Sequence, residues 1–281
     1  MLFLVGLMDL KSGLKAQSCI IEKEVGGFRH PESVVFDGRQ FFVSNLGRQL
    51  TPLEKDGDGY ISRLTRSGAL QDSTYFPRVT LHAPKGMAIL NDMLYVADVG
   101  RIVVLDIRSK NLVREKNLGE VCLFVNDLAA RDEERLFFSC SDKGTVWMWD
   151  LSADSLILIS QDMPGANGLL WDYLNADIYV AAMGSGGEPG FVYKVDLKNR
   201  TSEKIGDAQG LWDGLALVRG RLLCSDWKSQ SLQEIPLRTR LAQNLNCGKE
   251  FHGPADVLYW NGKVYLPAMK EGKMYVLRIE K

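Results

Sequence analysis

Short apolar runs, each bounded by turn residues, follow one another along most of the chain. A turn-like triplet precedes an apolar run, a polar turn and a second apolar run, and this unit recurs six times. The triplets lie about 42 positions apart in most units, and a period of this size indicates a repeat architecture. They are Pro31-Glu32-Ser33, Pro84-Lys85-Gly86, Val125-Asn126-Asp127, Ala166-Asn167-Gly168, Trp212-Asp213-Gly214 and Pro254-Ala255-Asp256.

These units predict β-strands. The runs are rich in Val, Tyr, Phe and Leu and are too short to show a helical period. Further strand-like runs follow in several units, for example at residues 144–149 and 190–195. Four short strands in about 42 residues make one blade of a β-propeller. The sequence therefore predicts an all-β fold, a six-bladed β-propeller, with insertions in the first and fourth units.

The last unit supplies only three clear strands, at residues 257–260, 263–268 and 273–279. The segment 19–25, with the sequence CIIEKEV, precedes the first unit and has the character of a strand. Because an unpaired strand edge is a liability, we expect this segment to pair with the last blade and close the ring. Residues 19–281 then form one propeller domain, and residues 1–18 precede it.

Composition and charge exclude several classes of partner. The chain of 281 residues carries 34 Lys and Arg against 35 Asp and Glu, a net charge of −1, so neither nucleic acid nor an anionic membrane surface is an expected partner. Five cysteines are scattered without a C-x-x-C pair, which predicts neither a disulfide framework nor a zinc knuckle. Cys140 and Cys224 lie in apolar runs and are expected as small buried side chains.

The first 18 residues begin with an apolar run and end in Ala16-Gln17-Ser18, a small-x-small pattern like that of a signal-peptidase site. Asp9 and Lys11 interrupt the apolar run, so a degenerate signal peptide with periplasmic or secreted export, and a cytoplasmic start, both stay open. No segment reaches the roughly 20 uninterrupted apolar residues of a membrane-spanning helix. We expect a monomer whose partner is a small-molecule substrate.

The middle residues of the six triplets are the strongest functional signal. In a propeller the innermost strand of each blade lines the central channel, so these residues face one another around the axis. Four of them carry side-chain oxygens, and turn formation alone does not explain the Glu. An all-oxygen set suits a hard divalent cation, with Ca²⁺ expected first and Mg²⁺, Mn²⁺ and Zn²⁺ as alternatives. The ring consists of Glu32, Lys85, Asn126, Asn167, Asp213 and Ala255.

The order of these residues resembles the SMP-30/gluconolactonase/LRE-like family of six-bladed propellers, also called regucalcin-like. That family binds one divalent cation through a Glu of the first blade, an Asn followed by Gly and Leu, and an Asp-Gly near the fifth blade, and an Asn-Asp pair helps to hold substrate. This chain has Glu32, Asn167-Gly168-Leu169, Asp213-Gly214 and Asn126-Asp127 in the same order, and the similarity covers roughly residues 28–279. The second unit is also similar to an NHL-type blade.

The resemblance implies metal-assisted hydrolysis of a small lactone or ester. Glu32, Asn167 and Asp213 would bind the cation, which would polarise the carbonyl group and lower the pKa of a bound water. Asp213 is the first candidate for the general base. Asn126 would share in catalysis by orienting water and substrate.

Two residues leave alternatives open. The family's sugar-lactone enzymes carry Arg two residues before the substrate Asn, and Phe124 stands at that position, so a polyol is not the expected substrate. The Lys85 ammonium either takes the place of the cation or extends toward the channel mouth. Its occupation of the site would make the chain a non-catalytic propeller that binds a ligand or partner, and a lyase or isomerase that uses the same cation is a third alternative.

Three histidines complete the predicted substrate-binding set. His30, His82 and His252 lie two or three residues before ring positions in units one, two and six, which are neighbours in a closed ring. They are either one cluster at the channel mouth that supplies a general base near neutral pH, or independent loop residues bonded to the backbone.

Overall fold

Six four-stranded antiparallel sheets form the ring in the computed structural model, which describes residues 17–186 and 188–280. The N-terminal strand is β1 (Cys19–Gly26). Blade 1 is β2 (Pro31–Phe36), β3 (Phe41–Asn45), β4 (Tyr60–Leu64) and β5 (Leu70–Asp72). Blade 2 is β6 (Met87–Leu90), β7 (Met93–Asp98), β8 (Arg101–Asp106) and β9 (Leu112–Asn117). Blade 3 is β10 (Val125–Asp132), β11 (Arg135–Cys140), β12 (Thr145–Asp150) and β13 (Ser155–Ser160).

Blades 4 to 6 continue the same order. Blade 4 is β14 (Ala166–Asp172), β15 (Asp177–Ala182), β18 (Val192–Asp196) and β19 (Thr201–Lys204), with a separate two-stranded ribbon of β16 (Gly184–Ser185) and β17 (Glu188–Pro189) between its second and third strands. Blade 5 is β20 (Trp212–Val218), β21 (Arg221–Asp226), β22 (Ser231–Pro236) and β23 (Gln243–Asn244). Blade 6 is β24 (Leu258–Trp260), β25 (Lys263–Ala268) and β26 (Lys273–Ile279), with a 3₁₀ turn at Met269–Glu271. The ribbon and the 46–59 loop of blade 1 are the insertions expected from the spacing.

The N-terminal strand closes the ring, as the sequence predicts. β1 lies antiparallel to β26, with Cys19 opposite Ile279 and Gly26 opposite Lys273. The sheet order of blade 6 is β1, β26, β25 and β24, so β1 is its outermost strand. Strands from the two ends of the chain therefore share one sheet, and the expectation of six blades with this closure is confirmed.

Apolar packing between neighbouring blades holds the ring together. Six buried clusters each draw on two adjacent blades, for example Phe138 and Trp149 of blade 3 packed with Ile102 of blade 2. Successive side chains of a strand point to opposite faces of its sheet, so alternate residues pack against the two neighbouring blades. Each blade is thus buried on both faces, which is why the strands read as nearly continuous apolar runs.

The expectation about the cysteines is wrong for four of the five. Cys19 pairs with Cys247 across 228 residues, and Cys122 pairs with Cys140 across 18. Closure of the ring brings the first pair together, and the first two strands of blade 3 align the second. Cys224 is free and buried, as expected.

The proposed signal segment, residues 1–18, lies almost wholly outside the described residues, which begin at Gln17. Within the described ranges, we find no helix of the length and apolarity needed to cross a membrane.

Candidate functional site on the propeller axis

The triplets lie at or just before the start of the innermost strands, and in four blades they form β-bulges. The register of the first two strands shifts at the triplet in blades 1, 3, 4 and 5. In blades 1, 3 and 5, a serine one position before the end of the second strand accepts a backbone N–H of the triplet; blade 4 has Ala181 there. Ser139 Oγ accepts the Asp127 N–H at 2.9 Å, and Ser225 Oγ accepts the Gly214 N–H at 2.8 Å. A bulge reorients side chains, and here it affects the residues of the predicted ring.

The ring residues are almost completely buried. The exposed fraction is 6% for Glu32, 5% for Asn126 and Asp213, 4% for Asn167 and 2% for Lys85. Ala255, which has no functional group, is fully buried. Polar side chains at this depth need partners or charge compensation, because an isolated buried charge is costly.

A second set of carboxylates lies one residue further along two of the triplets. Asp127 Oδ2 accepts the backbone N–H of Leu169 in blade 4 at 2.6 Å. Asp256 Oδ2 accepts the Ser33 hydroxyl of blade 1 at 2.6 Å. These two residues tie neighbouring blades at the axis, a structural function that the sequence reasoning missed although both stand in the repeated triplet.

Glycines at the same level let neighbouring blades approach closely. A Cβ on Gly168 would lie 2.2 Å from the Asp213 carbonyl oxygen, and one on Gly86 would lie 2.1 Å from Asp127 Oδ1. A Cβ on Gly214 would lie 2.4 Å from Asp256 Cα. Only glycine allows these contacts, so the backbone of the ring is tightly packed around the polar side chains.

The cluster contains four carboxyl groups and one amino group. Burial raises the pKa of Glu32 well above its usual range, and the carboxylates of Asp213, Asp256 and Asp127 raise it further. Burial, with a contribution from Asp256, raises the pKa of Asp213 to about 7. Burial likewise raises the pKa of Asp127 and of Asp256. These four carboxyl groups share one low-dielectric region, where a bound cation would stabilise their ionised forms.

Lys85 supplies the one positive charge of the ring. Its Nζ donates to the carbonyl oxygen of Ala83 at 2.8 Å and lies 5.1 Å from the centre of the Phe124 ring. Among the described residues, no carboxylate oxygen lies within 4.0 Å of this ammonium, although Glu32 and Asp98 raise its pKa. Burial is the larger effect and lowers the pKa of Lys85 to about 8. The ammonium thus bonds to a nearby backbone carbonyl oxygen and forms no direct ion pair with the described residues of the cluster, and which of the two expected arrangements it adopts stays a prediction.

Two buried oxygens in the ring have no hydrogen-bond partner. They are Glu32 Oε2 and Asn126 Oδ1. The Asn126 amide is fixed because its Nδ2 donates to Ser141 Oγ at 3.2 Å, and that hydroxyl donates to the Ala166 carbonyl oxygen at 2.6 Å. Unsatisfied buried oxygens are rare, and carboxylate and amide oxygens are the donors that Ca²⁺ prefers. The residues present therefore fit a hard divalent cation.

Trp227 is a site residue that the sequence reasoning did not identify. Its Nε1 donates to Asp213 Oδ2 at 2.7 Å, which holds the carboxylate and leaves its second oxygen free of this bond. Trp227 follows the second strand of blade 5, where the other blades have unlike residues, so the repeat gave no signal for it.

The three histidines have different surroundings. His30 Nδ1 lies 3.1 Å from the Gly47 carbonyl oxygen, and His252 donates its backbone N–H to Glu271 at 2.8 Å. Glu271 and His30 line one cavity of about 420 Å³ between blades 6 and 1. The backbone N–H of His82 donates to the Asp98 carboxylate in blade 2. The buried Nδ1 of the His82 ring has no hydrogen-bond partner. Their grouping as one general base stays a prediction.

Another set of potential ligands lies beside the ring in blade 3. In the described part of the chain, one group of three Cys, His or carboxylate atoms lies within 4.8 Å: Cys122, Cys140 and Asp142. Both sulfurs belong to a disulfide, and Asp142 Oδ1 accepts the Phe124 N–H at 2.9 Å. The group therefore holds the segment that carries Phe124 and is not an open thiolate site.

No family model and no curated protein sequence matches the chain. Solved structures match it along most of its length. A putative oxidoreductase (glucose dehydrogenase) from Thermus thermophilus is 14% identical, with a TM-score of 0.71 over 94% of this chain and 100% of that one. The PQQ-bound aldose sugar dehydrogenase from Streptomyces coelicolor is 14% identical, with a TM-score of 0.71 over 94% and 98%.

A lyase has the same architecture. A catalytically inactive variant of virginiamycin B lyase from Staphylococcus aureus, solved with quinupristin, is 12% identical, with a TM-score of 0.63 over 93% of this chain and 99% of that one. At such identities these likenesses show the six-bladed fold that the chain shares with lyases and sugar dehydrogenases. They leave substrate and activity open, since one fold carries many functions.

Proposed function

We propose that the chain is a divalent-cation-dependent hydrolase of a small lactone or ester, with its site on the propeller axis, as its resemblance to the SMP-30/gluconolactonase/LRE-like family implies. The supporting observation is the pair of unpartnered buried oxygens, Glu32 Oε2 and Asn126 Oδ1, in a cluster where carboxyl groups outnumber the single amino group. Ca²⁺ is the proposed ion because every donor is a hard oxygen.

Four of the six ring residues have a defined part in the proposed reaction. Glu32, Asn167 and Asp213 would hold the cation, which when bound polarises a carbonyl group and acidifies water. Asp213, held by Trp227 through Oδ2, takes a proton from the attacking water with its other oxygen. Asn126, fixed by Ser141, orients the substrate. The water oxygen bonds to the carbonyl carbon, the ester C–O bond breaks, and the proton passes to the leaving oxygen.

A non-catalytic binding propeller is the second candidate. Ring side chains that are only 2% to 6% exposed favour it, because a substrate has to displace covering groups before it reaches them. In this candidate the ligand or partner binds at the mouth, and Lys85 compensates part of the acidic charge beneath it.

A panel of lactones and esters separates the two candidates. Turnover is measured with and without Ca²⁺, Mg²⁺, Mn²⁺ or Zn²⁺ for the wild type and for Asp213→Ala. The control variant is Asp207→Ala, which changes an exposed aspartate in the loop between β19 and β20. The hydrolase predicts cation-dependent turnover that Asp213→Ala abolishes and Asp207→Ala retains. The absence of cation-dependent turnover on every substrate, together with a metal content near zero after Ca²⁺ is added, would assign the chain to the binding class.

A further inference from the structure

A cavity of about 460 Å³ lies on the face of the propeller opposite the ring residues. The ring triplets lie where the innermost strands begin, and β14 runs seven residues from there, a length of about 20 Å at about 3.3 Å per residue. Residues at the far ends of the innermost strands of blades 4, 5 and 6 line the cavity. Its large apolar side chains include Leu170, Tyr173, Leu174, Leu217, Leu258 and Tyr259.

Two of these side chains are more exposed than any other large apolar residue in the described part of the chain. Tyr173 and Leu174 are each 77% exposed, in the turn between β14 and β15. Asp172 holds this turn, because its Oδ1 accepts the Leu174 N–H at 3.1 Å and its Oδ2 accepts the Asn175 side-chain amide at 2.6 Å. An ordered turn thus presents apolar side chains at the rim of a cavity, which is typical of a binding surface.

One arginine stands where this apolar cavity meets a second cavity. Arg219 and Tyr259 line both the apolar cavity and a cavity of about 830 Å³ between blades 5 and 6. Arg219 is exposed and forms, with Gly220, the two-residue turn between β20 and β21, where both residues have positive φ. The Leu237 N–H donates to the Gly220 carbonyl oxygen at 3.0 Å, so the position of this turn is fixed.

The other charged groups of the two cavities are already bonded. Asp172 is only 4% exposed, and both of its oxygens bond within its own turn. In the second cavity two arginines pair with glutamates, and the remaining carboxylate accepts a hydroxyl group. These contacts are Arg221 with Glu234 at 3.4 Å, Arg278 with Glu22 at 2.8 Å, and Glu280 with Ser18.

Arg219 differs because, within the described ranges, it has no carboxylate at ion-pair distance. A guanidinium stays charged at any pH that a folded protein experiences, and its N–H groups match the two oxygens of a carboxylate. A cavity of roughly 300 to 1,000 Å³ with mainly apolar walls and few polar groups is typical of a small-molecule site. An alkyl chain placed in the cavity would lose unfavourable hydration, and a carboxylate beside Arg219 would gain a charge-assisted bond.

We propose that this cavity binds the free monocarboxylate of an alkyl chain, with the chain against Leu170, Leu174 and Leu217 and the carboxylate on Arg219. Blades 4, 5 and 6 supply the apolar part of the site, and the turn between β20 and β21 supplies its polar end. The site lies at the other end of the innermost strands from Glu32 and Asp213, so this inference does not depend on the proposed hydrolase.

Calorimetry with sodium decanoate tests the site. We expect one decanoate per chain, with an affinity that rises roughly tenfold for each two methylenes from hexanoate to octanoate to decanoate. Decyltrimethylammonium has the same chain and the opposite charge, and it should bind at least about tenfold more weakly. Absence of decanoate binding, or equal binding of the cationic amphiphile, overturns the proposal.

Matched variants locate the bound decanoate. Arg219→Asn removes the guanidinium and keeps a residue that tolerates positive φ, and it should weaken decanoate binding about tenfold. The control is Arg200→Asn, which changes an exposed arginine with a φ of 56° in the turn between β18 and β19 and should leave the affinity unchanged. Leu174→Ser should weaken binding about threefold or more, whereas Leu241→Ser, at a residue that is 62% exposed, should not. Thermal unfolding checks the folding of each variant, and an unchanged affinity in Arg219→Asn overturns the site.

Two other occupants of this face are tested with the same proteins. Sedimentation velocity detects a second copy of the chain, and co-sedimentation with vesicles of phosphatidylcholine and phosphatidylserine detects an anionic membrane. A dimer that Leu174→Ser dissociates, or vesicle binding that Arg219→Asn abolishes, would assign the face to that occupant. Either result in a chain that binds no decanoate overturns the carboxylate site.

Discussion

The disulfide between Cys19 and Cys247 closes a far longer loop than the one between Cys122 and Cys140. The two separations are 228 and 18 residues. A cross-link lowers the entropy of the unfolded chain by an amount that grows with the logarithm of loop length, which gives about 5 kcal/mol for the long loop and about 3 kcal/mol for the short one. We therefore expect the ring-closing bond to stabilise the fold by about 2 kcal/mol more than the bond within blade 3.

Each bond is best measured alone. A Cys122→Ala, Cys140→Ala chain keeps the ring-closing bond, and a Cys19→Ala, Cys247→Ala chain keeps the other. The free energy of unfolding in urea is determined for each chain with and without a thiol reductant. The difference within one chain isolates one bond, because any packing defect from the alanines is present in both conditions.

A chain with all four substitutions is the control, and reductant should leave its unfolding curve unchanged. Equal differences for the two single-bond chains, or a larger one for the bond of blade 3, would refute the argument from loop entropy. Such a result would mean that the folded ring, or residual structure in the unfolded chain, determines the effect of the long cross-link.

Three further predictions concern the axial cluster. The pKa of Asp213 is about 7 in the fold against an ordinary 3.8, so the folded chain retains a proton that the unfolded chain releases. In the presence of a chelator, the midpoint of thermal unfolding should therefore fall as the pH rises from about 4 through about 7. An equally steep dependence of the midpoint on pH in Asp213→Asn would contradict this. Ca²⁺ should raise the midpoint more at about pH 8 than at about pH 5, and should do so far less in Glu32→Gln; an equal rise in that variant would remove Glu32 from the cation site. Gly168→Ala places a Cβ 2.2 Å from the Asp213 carbonyl oxygen, so it should destabilise the fold by about 2 kcal/mol or more in urea unfolding. It should also weaken Ca²⁺ binding measured by calorimetry. The control Gly220→Ala, in an open hairpin turn, should leave the Ca²⁺ affinity unchanged. Equal Ca²⁺ affinity in the two glycine variants would contradict the close packing at the ring.

The ring and its closure were predictable because burial on both faces of each blade imposes a pattern that recurs with every unit. Even the incomplete last unit carried information, since a three-stranded blade implies a strand from elsewhere, and β1 fills that place. The apolar runs of the last unit predicted two of its strands with their observed bounds, Lys263–Ala268 and Lys273–Ile279. These are consequences of period and chain geometry, which a sequence displays directly.

Contacts between distant segments were not predictable. The spacing of Cys19 and Cys247 gives no sign that ring closure brings them together. Trp227 donates a hydrogen bond to Asp213, but the other blades carry different residues at the position of Trp227, so the repeat did not indicate this contact. The cation set itself, Glu32 with its amide and carboxylate partners, stays a prediction whose support is the unpartnered oxygen and the charge around it.

The strand that closes the ring also determines where the molecule opens. An open array of repeats can fray from either end, but five of these blades are each one continuous stretch of chain, and both faces of each are covered by a neighbour. Blade 6 differs because β1 and β26 come from opposite ends and meet along one ladder. Amide hydrogen exchange under native conditions should therefore be fastest, among ladder amides, at this seam, with the other blades exchanging only through opening of the whole ring.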